Sequence, residues 1–253
     1  MIKFFRHIRQ NLLMENKTSK YFKYAIGEIA LVVVGILIAL QINNWNELRK
    51  QKKQIHTNIL SIAKDISRDT LEQNKTIKSL QKELKSGKYF IPIMESDTHF
   101  VSDSLNFILS FNTFTTVYNY PNQTNTWSLL NSSGSLAEFP DSKLLGMLQD
   151  YYDNYYSLTM NFSESTNLSR LELRKIKYEL FSDSDHKKFF PTKTPIPPSK
   201  KAYQAIFNDT RILPLCRYIS GGAIYFTPKF IQVNKKANAI IDYIHKNYKP
   251  IAS

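Results

Sequence analysis

The residue types that most often form catalytic and metal sites do not have the spacings of known sites in this sequence. Its five histidines are far apart, and none has the short spacing to another that a zinc site needs. They are His7, His56, His99, His186 and His245. The string Asp183-Ser184-Asp185-His186 offers oxygen ligands, but it lacks the glycine and the terminal glutamate of a calcium-binding loop. Aspartate and serine are ordinary turn residues, so we interpret this string as a solvated loop after a helix, and no metal ligands are predicted.

Possible nucleophiles and ligand-binding rings also have simpler structural explanations. No base can be placed beside Ser132-Ser133-Gly134-Ser135, and Gly134 suits the left-handed residue that ends a short helix. Cys216 lies among apolar residues, which predicts a small core side chain rather than a reactive thiol. The tyrosines between Tyr151 and Tyr156 could contact a ligand, but half of them must face a bundle at helical spacing. No catalytic or cofactor-binding residues and no cofactor are predicted, and we do not expect an enzyme.

Composition limits the class of protein. The chain has 253 residues, 42% of them apolar, which is enough for a hydrophobic core. A formal net charge of +13 could indicate an anionic partner, but the basic residues are dispersed. No nucleic-acid partner is therefore predicted, although an inverted topology that placed the basic domain in the cytoplasm would revive it. The single cysteine excludes an intrachain disulfide, and seven glycines favour helices over tight hairpins.

The segment from Ala25 to Ile42 determines most of the interpretation. Its eighteen residues contain one charge and one glutamine. At a rise of about 1.5 Å per residue they span roughly 27 Å, close to the hydrocarbon thickness of a bilayer. A soluble core helix would show a polar face, and a cleaved signal would have a shorter apolar region that ends in a small-x-small site. The sequence therefore predicts an uncleaved transmembrane signal-anchor helix over residues 24–45.

The flanks of this helix indicate its orientation. Tyr21, Tyr24 and Trp45 have the amphipathic rings that favour the two membrane interfaces. Six basic residues precede the apolar run and four follow it closely, a modest bias toward a cytoplasmic N-terminus. Residues 1–23 then form a basic amphipathic cytoplasmic segment that lies on an anionic leaflet or simply flanks the anchor. We expect a single-pass protein of the cell inner membrane, with the lipid bilayer as a partner and residues 46–253 in the periplasm.

One stripe of the predicted span suggests contact with another helix. Glu28, Val32, Gly35 and Ala39 follow spacings of four, three and four, which place a carboxyl group and two small residues on one face. A small-xxx-small pair lets two transmembrane helices approach closely. We therefore predict packing against another transmembrane helix, in a second copy or in a partner protein. In the alternative interpretation, Glu28 lies near the interface and reaches water there or is protonated.

Two stretches carry a family resemblance. KYAIGEIALVVVGILIALQINNWNE, preceded by FFRHIRQNLLMENKTSKY, resembles the N-terminus of an uncharacterised family of single-span membrane proteins from Bacteroidota, domain of unknown function 6090. TWSLLNSSGSLAEFPDSKLLGMLQDYYDNY, from Thr126, resembles the family's short helix, Ser-Ser-Gly turn and long helix ending in tyrosines. The resemblance implies an inner-membrane anchor and a mainly helical periplasmic region. It implies no activity and no site residues.

A long helix is predicted from Asn43 to about Ser86, nearly continuous with the span, with Gly87 as its C-terminal stop. Its narrow apolar seam has the spacing of a coiled-coil or bundle helix. The seam comprises Leu48, Ile55, Ile59, Ile62 and Ile66, and resumes with Ile77, Leu80 and Leu84.

Further helices follow this one. A short helix capped by Ser102 or Asp103 should run to Phe111 and bury Leu105, and another should run from Thr126 to Ser133. A long helix is predicted from Pro140 to about Phe181, with a register shift near Ser165, antiparallel to the first helix. Prolines make residues 189–199 a linker. The last predicted helices cover 200–208, 213–219 with a break at Gly221-Gly222, and 228–247 starting at Pro228.

The predicted fold class is all-α: one N-terminal transmembrane helix, then an elongated antiparallel helical bundle outside the cytoplasm. A fold without a recognisable catalytic site favours binding over catalysis. We expect a non-catalytic periplasmic interaction, scaffold or sensor module. The alternative is an accessory subunit of a transport or envelope-assembly complex, and an enzyme with an unrecognised site is the least favoured interpretation.

Overall fold

The computed structural model describes residues 18–118, 125–185 and 199–249. Within these ranges it contains α-helices, one short 3₁₀ helix and no strand, which confirms the all-α prediction. The chain divides into two compact units, and the boundary in the sequence falls between Thr57 and Asn58. The predicted cytoplasmic segment lies outside the described residues up to position 17.

Helix α1, Thr18–Glu95, contains the predicted span. Its apolar window has a mean hydropathy of 2.5, and none of that window is buried. Within the described ranges, α1 is the one helix long and apolar enough to cross a membrane. Leu48, which the seam prediction included, is exposed.

Beyond Asn58, α1 buries residues at alternating steps of three and four. Three isoleucines of the predicted seam are fully buried here: Ile59, Ile62 and Ile66. The same steps then continue through positions 69, 73, 76, 80, 83, 87, 90 and 94, all of which are buried. The prediction that Ile77 and Leu84 resume the seam is wrong, since both are only half-buried. Thr76 and Glu83 take the inward positions instead, so the heptad register includes polar residues.

The expected stop at Gly87 is also wrong, because α1 continues to Glu95. Gly87 is buried, and a Cβ atom there would collide with the hydroxyl of Ser220. Its small size therefore permits a close approach of two helices rather than ending one. Pro92 lies in the last turn at an exposed position, where one missing amide hydrogen bond costs little.

The chain then turns back along α1. Helices α2, Ser104–Phe114, and α3, Asn125–Ser132, are followed by the 3₁₀ helix Ser135–Glu138. The Tyr89 hydroxyl donates to the Asp103 carbonyl at 3.1 Å, and Thr126 Oγ1 donates to Asp65 Oδ2 at 2.6 Å. Rising numbers in this segment meet falling numbers in α1, so the segment runs antiparallel to it.

The capping residues predicted for this segment are confirmed, although the helix expected to end at Phe111 continues to Phe114. Asp103 caps α2 by accepting a hydrogen bond from the Asn106 amide at 2.9 Å. Gly134 ends the turn after α3 with a positive φ of 71°, a conformation that favours glycine. Leu105 was expected to be buried and is instead partly exposed, because it lies on the outer face of α2.

The predicted helix from Pro140 is two helices. Asp141 caps α4, Ser142–Glu164, and the predicted shift at Ser165 is a break before α5, Thr166–Leu180. Gln73 of α1 is hydrogen-bonded to Tyr151 of α4, and Glu83, further along α1, is hydrogen-bonded to Arg170 of α5, so the residue numbers rise in the same direction on both sides. Helices α4 and α5 therefore run parallel to α1. The predicted antiparallel pairing of these two helices is wrong, since the α2–α3 segment has already returned the chain.

Helices α6, Lys200–Asn208, and α7, Ile212–Asn247, complete the bundle. Helix α7 also runs antiparallel to α1, since Arg217 pairs with Glu95 and Asn234 with Gln73. The predicted break at Gly221-Gly222 is wrong. Helix α7 is continuous there, and Gly222 lies against Thr166, where a side chain would collide, so its small size serves helix packing.

Pro228 does not begin a helix either, but lies inside α7. It removes the amide that would bond to the carbonyl of Ile224, an exposed residue. Thr227 donates its hydroxyl to the Ala223 carbonyl at 2.6 Å in the same turn. The local loss of one hydrogen bond at the surface is therefore compatible with a continuous helix.

Candidate functional site: polar layers in the bundle

The predicted packing stripe of the span lies on α1 with its apolar members uncovered. Val32 is 53% exposed, and a Cβ atom on Gly35 would meet nothing within 4 Å. Ala39 is exposed as well, whereas Glu28 is partly buried. The structure thus places these four residues on one helix face, and a contact with another span stays a prediction.

The predicted interface anchors have different outcomes. Trp45 is 64% exposed, and the Arg49 guanidinium carbon lies 5.9 Å from the centre of its ring. Tyr21 and Tyr24 belong to α1, but their side chains lie outside the described part of the structure. An exposed indole beside a cation suits an interfacial position, which stays a prediction.

Inside the bundle, a tyrosine layer joins α1, α4 and α7. Gln73 donates to the Tyr151 hydroxyl at 3.0 Å, and that hydroxyl donates to Asp69 Oδ2 at 3.3 Å. Asn234 of α7 donates to Gln73 Oε1 at 3.2 Å. Half of the four tyrosines between positions 151 and 156 were expected to face the bundle, and three of them are buried: Tyr151, Tyr152 and Tyr155. The layer therefore replaces apolar contacts with a connected hydrogen-bond network.

The tyrosines of this layer stay protonated. Burial raises the pKa of Tyr151, and the negative charge of Asp69 raises it further. The same two causes, in the same order, raise the pKa of Tyr152 and of Tyr155. Trp127 of α3 stacks on Tyr152 with ring centres 4.9 Å apart. These rings are packed core residues with neutral hydroxyls, of which that of Tyr151 donates to Asp69, and not exposed ligand-binding rings.

A second layer contains a fully buried ion pair. Arg170 Nη2 lies 2.6 Å from Glu83 Oε2, and its Nε lies 3.2 Å from Oε1. Neither side chain has any solvent exposure. The guanidinium carbon lies 4.9 Å from the ring centres of both Tyr118 and Phe162. Asn167 holds the Tyr118 segment with one hydrogen bond to its amide and one to its carbonyl, each 3.0 Å long.

Two opposing effects act on the pKa of Glu83 in this pair. Burial raises the pKa of Glu83 to about 7, although the charge and hydrogen bonds of Arg170 lower it. Guanidinium groups keep their charge in proteins, so the carboxyl of Glu83 is the titrating member of the pair. The Nη1 atom of Arg170 has no hydrogen-bond partner in the described ranges. The pair is thus held by a bidentate geometry and two aromatic faces that exclude water.

The two layers can fix the register of the bundle, because their hydrogen bonds join specific residues of different helices: Gln73 to Tyr151 and Asn234, and Glu83 to Arg170. Sliding or rotating a helix would leave several buried groups without hydrogen bonds. No group of three or more His, Cys, Asp or Glu side chains that could hold a metal occurs in the described ranges. The geometry of the layers is suited to specifying and holding one arrangement of helices.

The sequence analysis missed both layers because it treated the polar stretch of α1 as a gap. One signal was present: Asp69, Gln73 and Glu83 continue the heptad steps that begin at Ile59. Their partners Arg170 and Asn234 carry no comparable signal. Which helix faces which cannot be read from one periodic pattern.

Other sequence candidates have clear structural roles. Cys216 is fully buried, which confirms its assignment to the core. Asp185 is buried rather than solvated, and it accepts hydrogen bonds from the amide and the hydroxyl of Ser199 at 2.8 and 2.7 Å. These bonds join the two residues that flank positions 186–198. Those positions include His186 and all but the last residue of the predicted linker, 189–199, and they lie outside the described residues. Ser199 also caps α6.

Comparison with known proteins adds one finding. A model described as a family of unknown function, DUF6090, matches residues 28–205. This range includes most of the first quoted stretch and all of the second. No curated protein and no solved structure matches the chain.

Proposed function

Since the chain belongs to DUF6090, a family of unknown function, we propose from its architecture that it is a membrane-anchored binding module. One observation carries this proposal: α1 contains both an uncovered apolar segment of membrane-spanning length and a bundle helix held by buried polar contacts. The span tethers the protein to the inner membrane. The bundle, on the periplasmic side, recognises a partner or ligand without catalysing a reaction.

The exposed apolar run supports a membrane anchor over a soluble core helix. A soluble helix of this hydropathy would bury its residues, whereas Ile29, Leu31 and Ile36 are each more than half exposed. A patch of this size left in water would be an aggregation hazard. Lipid tails cover it at no such cost.

The buried layers support binding by a bundle of fixed register. Tyr151 connects α1 to α4, and Arg170 connects α1 to α5. A partner that docks on such a bundle meets one stable surface, since the helices cannot slide without breaking these contacts. The exposed rings of Tyr156 and Tyr225, both more than half exposed, offer contact area on that surface.

The identity of the helix that contacts the span would distinguish a self-associating sensor from an accessory subunit of a larger complex. The test is in-cell photo-cross-linking from a reactive residue at Val32, on the predicted stripe, with Leu37 on the opposite face as the matched control. We expect adducts from position 32 several-fold more abundant than from position 37, and reduced by Gly35→Leu. Mass spectrometry of the adducts identifies a second copy or a foreign subunit.

Equal adducts from both faces, unchanged by Glu28→Gln and by Gly35→Leu, would contradict the packing stripe. A reactive residue at Tyr156 tests the bundle in the same way. That position is preferable to Tyr152, which is buried against Trp127.

A further inference from the structure

The unit that begins at Asn58 contains a basic cleft between α1 and the end of α7. The cleft has a volume of about 640 Å³, within the range of small-ligand pockets. Its lining includes Lys64, Ser67 and Arg68 of α1, and His245 and Lys249 at the end of α7. None of the lining residues is acidic. The cleft thus combines space for a small molecule with a concentration of positive charge.

The sequence of α1 separates its charges by helix face. Lys64 and Arg68 are four residues apart and exposed, so they lie one turn above the other. Their chain neighbours Asp65 and Asp69 are also four residues apart but turned by about 100°, toward the bundle. Asp65 accepts from Thr126, and Asp69 accepts from Tyr151. The acids are therefore used inside the bundle while the bases line the cleft.

This separation leaves the two bases without a neutralising partner. No ion pair joins Lys64 or Arg68 to a carboxylate among the described residues, and Glu72, one turn beyond Arg68, pairs with Lys75 at 2.7 Å. Like charges four residues apart destabilise a helix by a few tenths of a kcal/mol, roughly 0.2–0.5. An anion between them would turn this repulsion into attraction.

The wall opposite α1 is tied by Tyr248 to an aspartate that already has several hydrogen-bond donors. Tyr248 lines the cleft and donates its hydroxyl to Asp141 Oδ2 at 3.0 Å. Asp141 also accepts from the Tyr243 hydroxyl at 3.0 Å and from the Leu144 amide at 2.9 Å. These three donors hold the carboxylate at the start of α4, so it is engaged in capping rather than in pairing with the cleft cations.

We propose that this cleft binds a phosphate-type oxyanion, a step that rests on the proposed binding role and names its ligand class. The guanidinium of Arg68 presents a planar fork that matches two oxygens of a phosphate. Lys64 supplies a second charge one turn away, and the Ser67 hydroxyl supplies a neutral donor between them. The shared chemistry suits a free phosphate ester or the phosphate of an anionic lipid headgroup.

The test measures binding of inorganic phosphate and of glycerol phosphate to the full chain in a non-ionic detergent. The Lys64→Gln, Arg68→Gln double variant is compared with Lys78→Gln, Lys82→Gln. The control pair has the same spacing on the same helix, is also exposed and lies outside the cleft. We expect saturable binding that weakens at least tenfold in the cleft variant and changes less than twofold in the control. All four side chains are exposed, so both variants should fold normally.

Equal losses in the two double variants would show diffuse attraction to a basic surface and overturn the proposal. Wild-type affinity in the cleft variant would overturn it as well. To identify the source, the titration is repeated in nanodiscs with and without phosphatidylglycerol. A headgroup in the cleft lowers the apparent affinity for free phosphate in the anionic discs, whereas a soluble ligand leaves it unchanged. Failure of this proposal would leave the cross-links from Val32 unaffected, so the two proposals fail separately.

Discussion

Replacing Arg170 with methionine is expected to lower the free energy of unfolding at pH 8 by about 3–5 kcal/mol, because it leaves Glu83 buried without its counter-charge. Both side chains have zero exposure, and the carboxylate has no route to water without opening the bundle. For a domain of this size the loss corresponds to a fall of roughly 10 °C in the melting temperature. The measurement is urea or thermal denaturation of the full chain in detergent, monitored by circular dichroism.

The effect of Arg170→Met should depend on pH. Burial already raises the pKa of Glu83 to about 7 in the folded chain, above its ordinary value of 4.5. The folded state therefore binds this proton more tightly than the unfolded state, and the contribution of Glu83 to stability falls as the pH rises from about 4.5 to about 7. Without the guanidinium, that pKa rises further. The variant should lose little stability at pH 5, where Glu83 is protonated, and lose most at pH 8.

Two controls separate the ion pair from general damage to α5. Lys175→Met changes an exposed residue of the same helix and should stay within about 0.5 kcal/mol of the wild type. The double variant Glu83→Leu, Arg170→Met removes both charges and should recover most of the lost stability. A single-variant loss below about 1 kcal/mol at pH 8, or one that does not vary between pH 5 and 8, would contradict a buried charge pair.

Alanine at Gly222 and at Gly221 should change stability in opposite directions. Gly221 is exposed, and a Cβ atom there meets nothing within 4 Å, so alanine should stabilise the helix by about 0.5–1 kcal/mol. At Gly222 the new methyl would collide with Thr166 Cγ2 and lie 3.2 Å from Thr166 Cβ. Both are parts of a stiff β-branched side chain, so α5 and α7 must separate. We expect a net loss of about 2 kcal/mol, measured by the same unfolding experiments.

A compensating change tests the cause. Thr166→Ala in the Gly222→Ala background removes the methyl that the new Cβ strikes, and it should restore most of the lost stability. The Thr166 hydroxyl has no hydrogen-bond partner in the described residues, so its removal adds little cost. If both glycine variants shifted stability in the same direction, the close approach of these helices would be wrong.

The parts of the fold that local chemistry determines could be predicted from the sequence. Eighteen nearly uncharged residues require an apolar environment, and the length of the run gives its thickness. Asp103 and Asp141 precede helices as capping residues must, and Gly134 takes the left-handed conformation that ends a helical turn. Each of these signals acts within a few residues, so one sequence is enough to identify it.

The incorrect predictions arose where tertiary contacts override local preference. Gly87 and Gly222 are helix-breaking by propensity, yet each lies where a neighbouring helix leaves no room for a side chain. Glutamate is usually found at the surface, but Glu83 lies in the core because it pairs with Arg170, 87 positions away in the sequence. The direction of α4 relative to α1 depended on where the chain turned back, which no periodicity records. The candidate sites were missed for the same reason.

The most direct test of a membrane-anchored periplasmic module is labelling with a membrane-impermeant maleimide in sealed spheroplasts of a bacterial host. Burial raises the pKa of the Cys216 thiol well above its usual range, so the parent chain should stay unlabelled. Ser102→Cys places a thiol at an exposed site of the bundle, and Asn11→Cys places one in the predicted cytoplasmic segment. We predict that Ser102→Cys is labelled in intact spheroplasts and Asn11→Cys only after permeabilisation. The reverse pattern, or labelling of both sites without permeabilisation, would contradict this topology.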